Sequence, residues 1–133
     1  MSHIGQIIEF TSDKFPPCPK DEELCNHDTM HGFSLASYIA EQLPEKGFTV
    51  DQLIAEDWGW LVCLVNSDYS LELGCCSYER SYDFVVFTKP DRPIIRKWLR
   101  KIDVSERVDA LNTAVFEILR DSAAATKGPT WVG

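Results

Sequence analysis

No stretch of this sequence approaches 18 consecutive apolar residues, so no membrane-spanning helix is expected and a membrane is not among the expected partners. No basic-then-apolar leader precedes Gly5, and a secretion signal is not expected either. Seven glycines and seven prolines are too few and too scattered for a collagen-like or low-complexity chain, and no heptad run marks a coiled coil. A glycine-rich phosphate loop is missing, as is a G-x-S-x-G nucleophile turn. Cysteine is sparse and odd in number: Cys18, Cys25, Cys63, Cys75 and Cys76. A disulfide framework would want an even count in an exported chain, so reduced thiols in a cytoplasm are expected. The three histidines all lie within the first 31 residues, far in sequence from Cys75 and Cys76. No Cys–His nucleophile motif connects them.

What is present is one domain's worth of chain, 133 residues that are 44% hydrophobic. The net charge of −8 is unevenly placed: residues 1–60 carry 11 acids and 3 bases, whereas residues 61–133 are balanced at 10 and 10. Six of the 13 bases crowd between Lys89 and Lys101. An electrically polar molecule follows, with an acidic side and one basic ridge.

Ile4 to Phe10 reads as a first strand. Residues 12–32 lose all periodicity around Phe15-Pro16-Pro17-Cys18-Pro19 and are expected to be a long irregular loop. Ser34 is placed to cap a helix over Leu35 to Gln42, stopped by Pro44 and Gly47. A strand beginning at Phe48, the apolar run Trp58 to Val65, the alternating Tyr69 to Cys76 and the β-rich Tyr82 to Thr88 follow. Loops this short make the last three an antiparallel meander. Cys63 and Cys75 fall inside the strand patterns, where a free thiol behaves as a small hydrophobe.

Two helices are then predicted. The first starts at Pro93 behind Asp91, with Ile94, Ile95, Trp98, Leu99 and Ile102 as a buried stripe and Arg96, Lys97, Arg100 and Lys101 as its solvated face. The second starts at an Asp103-x-x-Glu106 capping box and ends near Asp121. The expected architecture is α+β: a single domain over residues 1–121, with an antiparallel sheet of about four to five strands and two to three helices against it. Residues 122–133 are expected to be a C-terminal tail.

Cys18, Cys25, His27 and His31 gather the soft ligands of the first half, but Cys-x6-Cys and Cys-x-His spacings do not suit a zinc knuckle. No metal or cofactor is therefore expected, and no residue set is identified as catalytic. The basic stripe is weighed as a phosphate contact, but on a docked helix in an acidic chain it reads as a solvated face, and nucleic acid is not the expected partner. The most distinctive run is Glu56-Asp57-Trp58-Gly59-Trp60. Strand residues with one residue between them point to the same sheet face, so Trp58 and Trp60 are expected side by side, with Gly59 leaving the other face open to a close approach.

Glu56-Asp57-Trp58-Gly59-Trp60, Leu73-Gly74-Cys75 and the expected basic helix Ile95 to Asp103 together resemble a group of small uncharacterised bacterial proteins. These share an acidic-aromatic strand start and an L-G-C strand. The resemblance covers roughly residues 33–120. It implies an α+β fold in a bacterial cytoplasm and brings no catalytic residues.

The function expected is a non-enzymatic protein-interaction module, of inhibitor or immunity type, that steers toward a basic protein partner through its acidic surface. Glu56, Asp57, Trp58 and Trp60 are the candidate partner-binding residues, joined by the acidic 20–28 segment with Asp21, Glu22, Glu23 and Asp28 if the fold brings both to one edge. The alternative is a small enzyme or ligand binder, metal-dependent through the loop histidines, with a pocket beside residues 12–32 reached by Trp60, Tyr78 and Tyr82. Oligomeric state is not readable from this pattern.

Overall fold

A computed structural model describes residues 2–24, 31–78, 82–121 and 127–133. The chain runs β1 (Ile7–Thr11), α1 (Pro19–Leu24), α2 (Phe33–Gln42), β2 (Val50–Glu56), β3 (Gly59–Leu64), β4 (Leu71–Ser77), β5 (Asp83–Lys89), β6 (Ile94–Lys97), β7 (Arg100–Asp103), α3 (Ser105–Asp121) and β8 (Lys127–Val132). Six strands form an antiparallel sheet in the order β2-β3-β4-β5-β1-β8, and β6 and β7 pair separately as a two-stranded ribbon. This is an α+β single-domain fold whose sheet is larger than the four to five strands expected.

Period-2 alternation sorts the sheet into two faces. Trp60, Val62 and Leu64 of β3, Leu71, Leu73 and Cys75 of β4, Phe84 and Val86 of β5, and Ile8 and Phe10 of β1 are buried in one core. They share it with Leu35, Ala36 and Ile39 of α2 and Val108, Leu111, Val115 and Ile118 of α3. Residues between them on the strands, such as Ile7, Leu61, Cys63, Cys76 and Phe87, point the other way and are half-buried. Among the described residues no helix covers that second face.

Three local expectations change. Ser34 does not cap α2; its hydroxyl donates to the Pro16 carbonyl, and the helix begins two residues earlier, at Phe33 behind Gly32. Residues 12–32 are not wholly irregular, because α1 occupies Pro19–Leu24. Residues 127–132 are not tail but the edge strand β8, paired with β1 through a register shift between Glu9 and Thr11. Pro129 is tolerated there because an edge strand leaves one side of its backbone unpaired. Trp131 stacks on Phe116 of α3 at 5.3 Å and on His3 at 4.1 Å, which ties the strand down.

The largest correction concerns residues 94–103. The predicted basic helix is a β-hairpin, with Ile95 opposite Ile102, Arg96 opposite Lys101 and Lys97 opposite Arg100. Trp98 and Leu99 form its turn and are 93% and 100% exposed rather than buried. Ile95 and Ile102 alone pack on the core.

Candidate functional site

The acidic-aromatic run forms the end of the β2–β3 hairpin, where Glu56 pairs with Gly59 and Asp57-Trp58 make the turn. Gly59 adopts φ +153°, and a Cβ there would lie 2.5 Å from the Cys75 carbonyl oxygen. Only glycine fits, because the β4 backbone makes the close approach the sequence anticipated.

The two tryptophans part company at this point. Trp58 packs on Phe87 at 5.3 Å, on the uncovered face. Phe87 in turn lies over Gly74, where any β-carbon would overlap its ring. Trp60 turns into the core against Phe33, at 4.8 Å, and is 3% exposed. They do not share a face: Trp58 lies on the uncovered face, to which strand alternation also turns Glu56, Asp57 is exposed in the turn, and Trp60 lies in the core.

Trp60 is held by a residue read as part of an acidic loop. Its indole Nε1 donates to Asp21 Oδ1 at 2.8 Å, and the same oxygen accepts the Gly32 and Phe33 amides at 3.0 Å each. Asp21 Oδ2 accepts the Cys18 amide at 3.0 Å. Burial raises this carboxyl's pKa, but the hydrogen bonds outweigh it and hold the pKa below the ordinary carboxylate range. Asp21 is thus a buried clamp joining α1, the start of α2 and β3, not a surface charge. The side chains of Glu22 and Glu23 and all of Asp28 lie outside what the structure describes.

The uncovered sheet face carries an apolar centre of Ile54, Leu61, Cys76, Phe87 and Trp58, all half-buried. Glu9, Glu56, Glu72 and Asp83 stand on the same face by strand alternation, with Lys89 of β5 and Lys127 of β8 as the bases there. At one end, a cleft of about 330 Å³ runs between Glu9, Thr11, Tyr78, Asp83 and Lys127. Thr11 Oγ1 donates to Asp83 Oδ1 at 2.6 Å and the Tyr78 hydroxyl to Glu9 Oε1 at 3.4 Å. Burial and the Glu9 carboxylate push the Tyr78 pKa up, which keeps the phenol a neutral donor.

The described thiols do not assemble a nucleophile. Cys18, Cys63, Cys75 and Cys76 are free. Burial pushes each thiol pKa up, and the Glu72 carboxylate beside Cys63 adds to the effect there. Cys25 and His27 of the soft-ligand group lie outside the described residues. His31 is buried against Phe84, with its backbone bonded to Ser77, and its position reflects packing. Among the described residues no three His, Cys, Asp or Glu side chains are grouped to hold a metal ion. Among the described residues no helix is long and apolar enough to cross a membrane.

Comparison with protein-family models, with curated proteins and with solved structures finds no match to this chain.

Proposed function

We propose that this protein is a non-enzymatic interaction module, of inhibitor or immunity type, that receives a basic protein on the uncovered face of its sheet. One observation carries the reading: an apolar sheet face that no helix covers among the described residues is rimmed by Glu9, Glu56, Glu72 and Asp83 against Lys89 and Lys127. Half-buried Trp58 and Phe87 supply contact area of the kind that anchors interfaces, and rim carboxylates set the encounter rate and its salt dependence. Burial raises the pKa of Cys63 and Cys76, the thiols described on this face, which favours recognition over covalent chemistry there. The resemblance to the acidic-aromatic bacterial group and a cytoplasmic setting fit the same reading. The acceptor end is the β2–β3 turn, with Glu56, Asp57 and Trp58 as contacts and Trp60 as their support.

The test is affinity capture from the source organism at low and high salt, run beside a folded Glu56→Lys/Asp57→Lys variant. A basic partner held by the wild type at low salt and lost by the variant is expected. A partner retained by the variant with unchanged salt dependence would remove this end of the sheet from the interface.

A further inference from the structure

The β6–β7 hairpin stands at the opposite end of the sheet from Trp58. The β2–β3 turn closes one end, and Glu72 opposite Lys89 marks the other, where β5 leads toward the arm. Lys97 Nζ donates to the Asp68 carbonyl in the β3–β4 loop at 2.9 Å, and the Val104 amide bonds to the Pro93 carbonyl across the arm's base. Six strand residues separate the two ends, roughly 20 Å.

This arm is built against its own stability. Arg96 faces Lys101 and Lys97 faces Arg100 directly across the strands, an arrangement that like charges disfavour. Among the described residues no carboxylate forms an ion pair with any of the four. Trp98 adopts φ +60°, a conformation costly for a bulky residue. Its ring and Leu99 are held out in water. Strain and exposed apolar surface in one place are retained where a ligand uses them.

Geometry indicates which ligand. Successive strand residues alternate faces, so Arg96 and Lys101 project from one side of the ribbon and Lys97 and Arg100 from the other. The cations therefore ring the arm on both sides, about 3–7 Å behind an apolar tip. A groove-binding ribbon would gather them on one face. A ring behind a Trp-Leu tip suits a planar anionic surface met end-on, with Trp98 and Leu99 at the boundary of the acyl chains and the bases at headgroup level. We infer that residues 94–103 are a peripheral anchor for an anionic lipid surface. The protein lies on that surface and does not span it. Asp51 and Glu72 line one hollow with Arg96 and Lys97, the Asp68 carbonyl accepts from Lys97, and Asp91 and Asp103 flank the arm in sequence, but residues 95–102 themselves hold four bases and no acid. The acidic turn at the far end lies beyond the screening length of about 8–10 Å.

The experiment is co-sedimentation of the full chain with vesicles of phosphatidylglycerol and phosphatidylcholine, with pure phosphatidylcholine vesicles and a single-stranded oligonucleotide in parallel. Binding to the anionic vesicles and not to the neutral ones is expected. Trp98→Ser/Leu99→Ser should weaken it roughly tenfold or more, since the tip supplies the apolar contact. Arg96→Gln/Lys101→Gln should weaken it about thirtyfold, from about 1 kcal/mol per base. Brominated acyl chains should quench wild-type tryptophan fluorescence and leave a Trp98→Phe variant unquenched. The altered residues are exposed, and an unchanged melting temperature checks that each variant is folded. No anionic-vesicle binding at low salt, or binding indifferent to the tip, would overturn the inference. Oligonucleotide binding lost in the same variants without vesicle binding would replace it with a nucleic-acid arm.

Discussion

Trp60 and Asp21 form a buried 2.8 Å hydrogen bond between a strand and a segment 39 residues earlier. That bond makes the irregular N-terminal segment part of the core. Asp21 also serves the amides of Gly32 and Phe33, work usually done by a local capping side chain.

Asp21→Ala should therefore destabilise the domain by about 3 kcal/mol or more, because it strands several buried donors at once. Asp21→Asn should cost less, since it retains one acceptor oxygen. Urea unfolding of both variants checks the order.

The same carboxylate predicts an acid response. Its folded pKa lies below its unfolded value of about 3.9. Its contribution is therefore full above that value and disappears as pH falls through the lower folded pKa. Stability measured from pH 6 down to pH 2 should fall more steeply in the wild type than in Asp21→Asn. Parallel curves would show that Asp21 is not charged in the folded state.

Gly74 and Phe87 predict a coupled pair. Gly74→Ala must displace the Phe87 ring and with it the support of Trp58, at roughly 1–3 kcal/mol. In a Phe87→Ala background the same substitution should cost much less, and a double-mutant cycle measures the difference.

Thr88 and Asn112 concern the inner face. Thr88 Oγ1 donates to Asn112 Oδ1 at 2.7 Å, but the buried Asn112 Nδ2 has no hydrogen-bond partner among the described residues. Replacing both, as Thr88→Val/Asn112→Leu, should be neutral or stabilising, whereas Asn112→Leu alone leaves the threonine hydroxyl stranded. Melting temperatures of the three proteins decide.

Trp98→Ala should change stability by less than about 0.5 kcal/mol, the result for a solvent-held side chain. A buried helix residue would cost roughly 3–5 kcal/mol. Trp98→Gly should stabilise by up to about 1 kcal/mol, because glycine accepts the positive φ.

Much of the framework was legible in the order of residues. Alternation in Leu71 to Cys76 and the apolar run after Trp58 specify strands whose short loops leave only antiparallel pairing. The 4, 3, 4, 3 spacing of Val104, Val108, Leu111, Val115 and Ile118 specifies α3, and Asp103 sits at its start, accepting the Ser105 amide. These features rest on contacts between near neighbours, which a local pattern encodes. The arm departs from the helix expected of it for a physical reason. Ile95-Arg96-Lys97-Trp98-Leu99-Arg100-Lys101-Ile102 is nearly a mirror image of itself, and its apolar residues at 95, 98, 99 and 102 satisfy a helical stripe as well as a hairpin. No Asn or Gly marks the turn, so only the cross-strand pairing of Ile95 with Ile102, packed on the core, separates the two. Asp21 was misread because an acid in an acidic stretch carries no local sign of burial, and its donors come from Cys18, Gly32, Phe33 and Trp60. Trp58 and Trp60 were assigned one face because alternation holds only within a strand, and the turn at Asp57-Trp58 with Gly59 at φ +153° breaks it. Order along the chain determined the elements whose burial pattern is periodic, while long-range pairing decided what surface those elements left exposed, because the energy that settles each ambiguous segment comes from partners far away in sequence.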